Sequence, residues 1–227
     1  MSNKEVSHPY FDYMRDSGLI LLKKKGIVIK NTLLETAEKV FKAELIELPV
    51  LMSRNVLDYV NSSYVRESIF CDTKKKKYLL CGDPTDSILF HFLPQMKVNQ
   101  SFVTCSHVFR NISPIKKEFR LSEFQMFTVV RLIDRRKTTP KEAITQFIDE
   151  LKRWADQFDC LVHFTKNSTS EKTPVDYNVL LEKDGRRANL GHLTLQNLGY
   201  IHDNYRKRQL VAFGLGLEGL LNFLYQK

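Results

Sequence analysis

Two arginines and one phenylalanine bracket a basic loop in the middle of the chain. Phe109-Arg110-Asn111-Ile112-Ser113-Pro114 closes an apolar run that starts at Ser101, and Arg120-Leu121-Ser122-Glu123-Phe124 opens another that continues to Ile133. Both runs have strand character, and the residues between them, with Lys116, Lys117 and Arg120, read as the turn of a hairpin. A guanidinium grips phosphate oxygens through a planar fork, and an aromatic face can stack a purine. Arg110, Arg120 and Phe124 at the mouth of a sheet could therefore hold a nucleoside triphosphate. The same spacing also suits a plain hairpin with a solvated basic tip.

The stretch resembles motif 2 of the class II aminoacyl-tRNA synthetases, in the glycyl, prolyl, threonyl and seryl branch, where Phe-Arg-Asn-Glu-Ile-Ser-Pro is followed by Arg-x-x-x-Phe. The resemblance implies that Arg110 holds the ATP α-phosphate and carries the charge of the transition state, that Arg120 reaches the γ-phosphate, and that Phe124 stacks under adenine. Tyr78 to Ser87, a strand leading into Pro84-Thr85, is similar to the family's Pro-Thr-x-Glu loop, whose glutamate holds the α-amino group of the substrate. That makes Thr85 and Asp86 candidate substrate ligands. Asn189 to Gly199 resembles the strand that floors the amino-acid pocket, with Gln196 and Asn197 able to hydrogen-bond a small substrate. Gly214-x-Gly216-x-Glu218 resembles motif 3, read as a strand, a glycine turn and a helix. Its glycines let backbone approach the nucleotide, and its helix N-terminus offers positive potential to phosphates.

The sequence departs from the family pattern at four ligand-handling positions. Ile112 stands for the motif 2 glutamate, Ser87 for the glutamate of the Pro-Thr loop, Asn189 for a frequent ligand of ATP-bound magnesium, and Gly219 for the motif 3 arginine over adenine. A lost cation over an aromatic base forfeits roughly 0.5–2 kcal/mol, and a lost charged phosphate contact roughly 1.5–3 kcal/mol more. Two readings follow from the resemblance. One is an ATP- and magnesium-dependent amino-acid ligase that forms an aminoacyl adenylate and passes the amino acid to an acceptor without a full tRNA synthetase. The other is a catalytically lapsed paralogue acting as a regulatory, accessory or tRNA- or protein-binding subunit.

The elements that must position these residues are readable in part. Residues 1–17 read as a loose or partly helical lead-in, and Gly18 to Ile29 as short extended pieces around Gly26. Thr32-Leu33-Leu34-Glu35 matches a capping box, so a helix is expected to start there and run through Leu45. That helix, a short strand and Pro49 resemble motif 1, the family's dimer interface, which implies a homodimer through residues 31–51. Thr139-Pro140-Lys141-Glu142 supplies cap, first-turn proline and box glutamate for a second helix, with Trp154 in its buried stripe. Lys183-Asp184-Gly185-Arg186 signals a hairpin turn. The resemblance spans about residue 15 to the end. It implies one class II core domain over 1–227, α+β with a mainly antiparallel sheet flanked by helices, and no anticodon-binding domain.

With 227 residues and 43% hydrophobic content, the chain can bury one proper core. Its formal net charge of +9 favours polyanions such as tRNA or acidic proteins. Basic runs stand at Lys23–Lys25, Lys74–Lys77, Arg135–Lys137 and Arg206–Arg208. Cys71, Cys81, Cys105 and Cys160 form no C-x-x-C pair, which suits reduced thiols. No apolar run approaches the ~20 residues that span a bilayer, and Met1 to His8 lacks the apolar centre of a signal peptide. A cytoplasmic protein without a membrane partner is expected. Cys105-x-His107 alone is too little for zinc, so no metal site beyond ATP-bound magnesium is expected.

Overall fold

The computed structural model describes residues 6–14, 19–60, 70–72, 77–109 and 123–225. Strands β1 (Val6–Ser7), β2 (Phe11–Met14) and β3 (Leu19–Leu22) form a small antiparallel sheet, the first two where the sequence suggested a loose lead-in and the third where it suggested an extended piece. Helix α1 follows (Lys24–Phe41), then β4 (Ala43–Leu45), β5 (Leu51–Ser53), α2 (Asn55–Val60), β6 (Phe70–Asp72) and β7 (Lys77–Leu80). Next come α3 (Pro84–Phe92), β8 (Ser101–Phe109), β9 (Glu123–Asp134) and α4 (Pro140–Asp156). The last part is β10 (Leu161–Lys166), β11 (Val175–Lys183), β12 (Arg186–Asn197), β13 (Arg208–Gly216) and α5 (Leu217–Tyr225).

Seven strands make the central sheet, in the order β10-β11-β12-β13-β9-β8-β4. Every pairing is antiparallel except β4 with β8. The β8–β9 hairpin is present, and Asp184 and Gly185, both at positive φ, close the β11–β12 hairpin. One face of the sheet carries the larger core. Val103, Phe127, Val129, Leu193, Leu195, Val211 and Phe213 pack there under α1, α4 and α5. Trp154 is fully buried in that core and its indole N–H donates to Leu33 O at 3.3 Å. On the other face, Ile88, Leu89 and Leu93 of α3 pack against Phe102, Val130, Leu132 and Leu210.

Helix α1 begins eight residues earlier than its capping box suggests. Thr32 lies inside the helix, and its hydroxyl donates to Val28 O at 3.1 Å instead of capping an amide. Gly26 sits in the first turn because a Cβ there would stand 2.3 Å from Tyr10 O, so only glycine lets β2 and α1 approach so closely. Helix α4 begins as expected, with Thr139 and Glu142 capping each other. No described helix is long and apolar enough to cross a membrane.

Candidate functional site

The register of β8, β9 and β13 brings motif-like segments from three parts of the chain side by side. Gly214 lies opposite Thr128, which lies opposite Thr104; Gly216 lies opposite Met126, which lies opposite Ser106. Directly opposed residues of antiparallel strands share a face. His192, Thr194 and Gln196 of β12 extend that face beside Gly214, Ala212 and Leu210. The result is a sheet face of hydroxyls, amides and glycines, with Thr104 and Thr128 buried and Ser106, Gly214 and Gly216 half-buried.

The glycines form no turn. Both belong to β13, which runs directly into α5 at Leu217. Their role is spatial. A Cβ on Gly214 would lie 3.4 Å from Met126 Sδ, and one on Gly216 would lie 3.8 Å from Phe124 Cδ2. Phe124 and Gly216 are therefore neighbours. Arg110, Arg120 and Ile112 lie outside the described residues, between Phe109 and Glu123, which pair with each other at the end of the hairpin.

Glu218, in the first turn of α5, works beneath the sheet and not on the open face. The β9–β13 ladder ends at the Met126–Gly216 pair, and the next amide, Gln125 N–H, donates to both Glu218 carboxylate oxygens at 3.0 and 3.1 Å. The Gln125 side chain in turn accepts from Lys30 Nζ at 2.8 Å. Burial pushes the Glu218 carboxyl up to about 7, against the pull of the Gln125 amide and Lys30. Burial likewise pushes the Cys105 thiol up to about 12, so this cysteine is no nucleophile at neutral pH. His107 is engaged with Glu123 at 3.0 Å.

The residues expected to hold an amino acid make contacts within the protein. Thr85 and Asp86 lie in the first turn of α3, not in a loop, with Asp83 as its cap accepting from Thr85 N–H at 2.7 Å. Ser87, at the glutamate position, points into the core and is fully buried. Asp86 faces Lys172 and Tyr200. The Lys172 ammonium sits 4.1 Å above the centre of the Tyr200 ring. Burial depresses the Lys172 pKa and Asp86 opposes that shift, while burial, then Asp86, raises the Tyr200 phenol.

Asn197, expected to meet substrate, anchors this arrangement. Its backbone N–H donates to Lys172 O at 2.8 Å and its side-chain amide donates to Glu171 O. Gln209 donates to Asn197 Oδ1 at 2.8 Å, and Gln196 Nε2 donates to Thr194 Oγ1 at 3.4 Å. Asn189 is exposed at the irregularity in the β11–β12 pairing, opposite Leu180. Lys172 and Tyr200 carry no signal in the sequence. One lies in a polar loop and the other just past a strand end. Segment 31–51, the expected dimer face, bears exposed Leu45, Val50 and Leu51. Among the described residues no group of three His, Cys, Asp or Glu side chains is placed to hold a metal ion.

No protein-family model matches the sequence, and no curated protein matches it. The fold is similar to the crystal structure of the RNA binding domain of threonyl-tRNA synthetase from Cryptosporidium parvum Iowa II, with a TM-score of 0.75 at 10% sequence identity. The likeness covers 91% of this chain and 66% of that one, just under two thirds of its length. The protein thus has an α+β fold, a mainly antiparallel seven-strand sheet with helices, distantly similar in structure to a threonyl-tRNA synthetase domain.

Proposed function

We propose that this chain is an accessory binding protein built on a class II synthetase-like core, with an amino-acid pocket closed by its own lysine. The Lys172 ammonium over Tyr200 and beside Asp86 carries the reading. A carboxylate and an aromatic face are what a pocket offers the α-ammonium of an amino acid. Here an internal ammonium, tied down through Asn197, takes both. Two sequence changes weigh against magnesium-bound ATP. Asn189 is neutral where the family holds a metal ligand, and Gly219 brings no cation over Phe124. The net charge of +9 and the likeness to a domain described as RNA-binding support a polyanionic partner such as tRNA.

A second reading, ATP-dependent activation of an amino acid, draws on the Phe124 ring beside Gly216. ATP–pyrophosphate exchange with the twenty amino acids, with thermal shift by ATP, separates the two. The accessory reading expects neither exchange nor shift. Exchange in the native protein that vanishes in Arg110→Ala overturns it. Exchange that appears only in Lys172→Ala also overturns it, in favour of a ligase held shut by its own side chain.

A further inference from the structure

Two basic runs that are about 70 residues apart in the chain meet at one corner of the central sheet. Arg208 is paired with Asp134 where β13 begins and β9 ends, and just beyond that pair Arg135 N–H donates to Lys207 O at 2.9 Å. Arg135, Arg136 and Lys137 thereby stand beside Arg206, Lys207 and Arg208. One buried acid organises them. The Asp134 carboxylate accepts from Arg136 Nε at 3.0 Å and Nη2 at 2.6 Å, takes the Arg136 backbone N–H at 3.0 Å, and lies 3.9 Å from Arg208 Nη1. Arg206 pairs with exposed Asp203 at 2.9 Å. Six cations thus face two acids. Arg135, Lys137 and Lys207 are exposed and make no ion pair among the described residues.

We infer that this corner is an RNA-binding surface, on which Arg135, Lys137 and Lys207 grip the phosphate backbone. The inference rests on the accessory reading and names the partner class it leaves open. β9 has 12 residues, so the corner stands about 35 Å from the glycine and Phe124 end. An RNA held there need not enter the cleft. Three features favour RNA over other polyanions. Arg135, exposed and without an ion pair among the described residues, presents a fork that matches phosphate. The exposed His202 ring, packed edge-to-face on Tyr205 with centroids 6.3 Å apart, flanks the run and is a candidate for stacking a base. No exposed large apolar residue among the described ones lies in 134–137 or 202–208, where a lipid surface would need insertion.

The test is fluorescence anisotropy with a labelled RNA hairpin and a single strand of equal length, between about 50 and 200 mM salt. Triple Arg135→Glu, Lys137→Glu, Lys207→Glu is expected to weaken RNA binding at least about tenfold and to flatten the slope of log affinity against log salt by about 3. A control with the same charge change elsewhere, Lys24→Glu, Lys25→Glu, Lys152→Glu, is expected to shift affinity less than about threefold. The glutamine version of the corner triple, with an unchanged melting temperature, guards against misfolding and is expected to weaken binding by a smaller factor. The inference is overturned if the native protein binds neither RNA. Equal weakening by the control overturns it as well, as does capture of phosphatidylserine vesicles or polyglutamate through the corner as tight as that of RNA. The cleft plays no part in this measurement, so exchange activity and corner binding fail independently.

Discussion

Two buried carboxylates stand at opposite ends of β9, and the protein shifts their pKa values in opposite directions. At the corner end, Asp134 is held well below the usual carboxylate range, first by the hydrogen bonds from the Arg136 side chain and backbone and then by the charges of Arg136 and Arg208. At the other end, Glu218 has backbone amides, its own and that of Gln125, as its close partners, and burial raises it to about 7. Both are almost wholly shielded from water. Burial alone therefore does not decide the charge; the presence of a guanidinium does. One end of the sheet keeps its cations on the surface around a fixed anion. The other has glycine immediately after Glu218 and raises the pKa of its acid.

The largest effect is expected at the uncompensated acid. A carboxyl whose folded pKa is raised from 4.5 to about 7 costs nothing below its ordinary value. Its penalty grows as pH rises through that window and is complete above it, reaching about 3 kcal/mol. Glu218→Gln keeps an acceptor for Gln125 N–H and cannot ionise. It is expected to match the native protein at pH 4 and to exceed it by about 3 kcal/mol, or ~6–12 °C in melting temperature, at pH 8. Denaturant unfolding across that range checks this. A native profile that is flat between pH 4 and pH 8 would show that Glu218 is ionised in place and would erase the contrast with Asp134.

A smaller effect of opposite sign is expected at the corner. A depressed carboxyl contributes stability that is present above its ordinary pKa and is lost as pH falls through the folded one. Asp134→Asn should therefore be less stable than the native protein at neutral pH, with the gap closing only below pH about 4. Melting temperatures of the pair from neutral to strongly acidic buffer read this directly. A gap that stays constant into acid would mean that the arginines do not sense the charge of Asp134, only its shape.

The sequence revealed elements whose causes are local. The β8–β9 hairpin, the Thr139 box, the Asp184-Gly185 turn and the buried Trp154 each follow from residues within one turn or one stripe. It misplaced the start of α1 because Thr32 and Glu35 satisfy a local rule, while the helix is extended by a close approach between Gly26 and Tyr10 that no window of sequence contains. The partners of Asp86 were hidden for the same reason. Lys172 and Tyr200 are brought to it by the fold, and Lys172 looks like any solvated loop lysine until Asn197 is seen to hold its backbone. Likewise the runs 135–137 and 206–208 read as separate solvated loops, and only the β9–β13 ladder makes them one surface.

The smallest expected effect tests whether the cleft end has room to spare. Gly219 is in the first turn of α5, where glycine weakens a helix by about 0.5–1 kcal/mol relative to alanine. A Cβ there meets Leu190 Cδ2 at 3.5 Å, an ordinary contact with nothing to displace. Gly219→Ala is therefore expected to gain roughly that amount, ~1–4 °C in melting temperature. Gly191 is the counter-case on the adjoining strand, since a Cβ there would stand 2.5 Å from Gly214 O and must push backbone apart. If Gly219→Ala destabilised the protein as Gly191→Ala must, the space in front of α5 would be filled in solution. The glycine would then be a packing requirement.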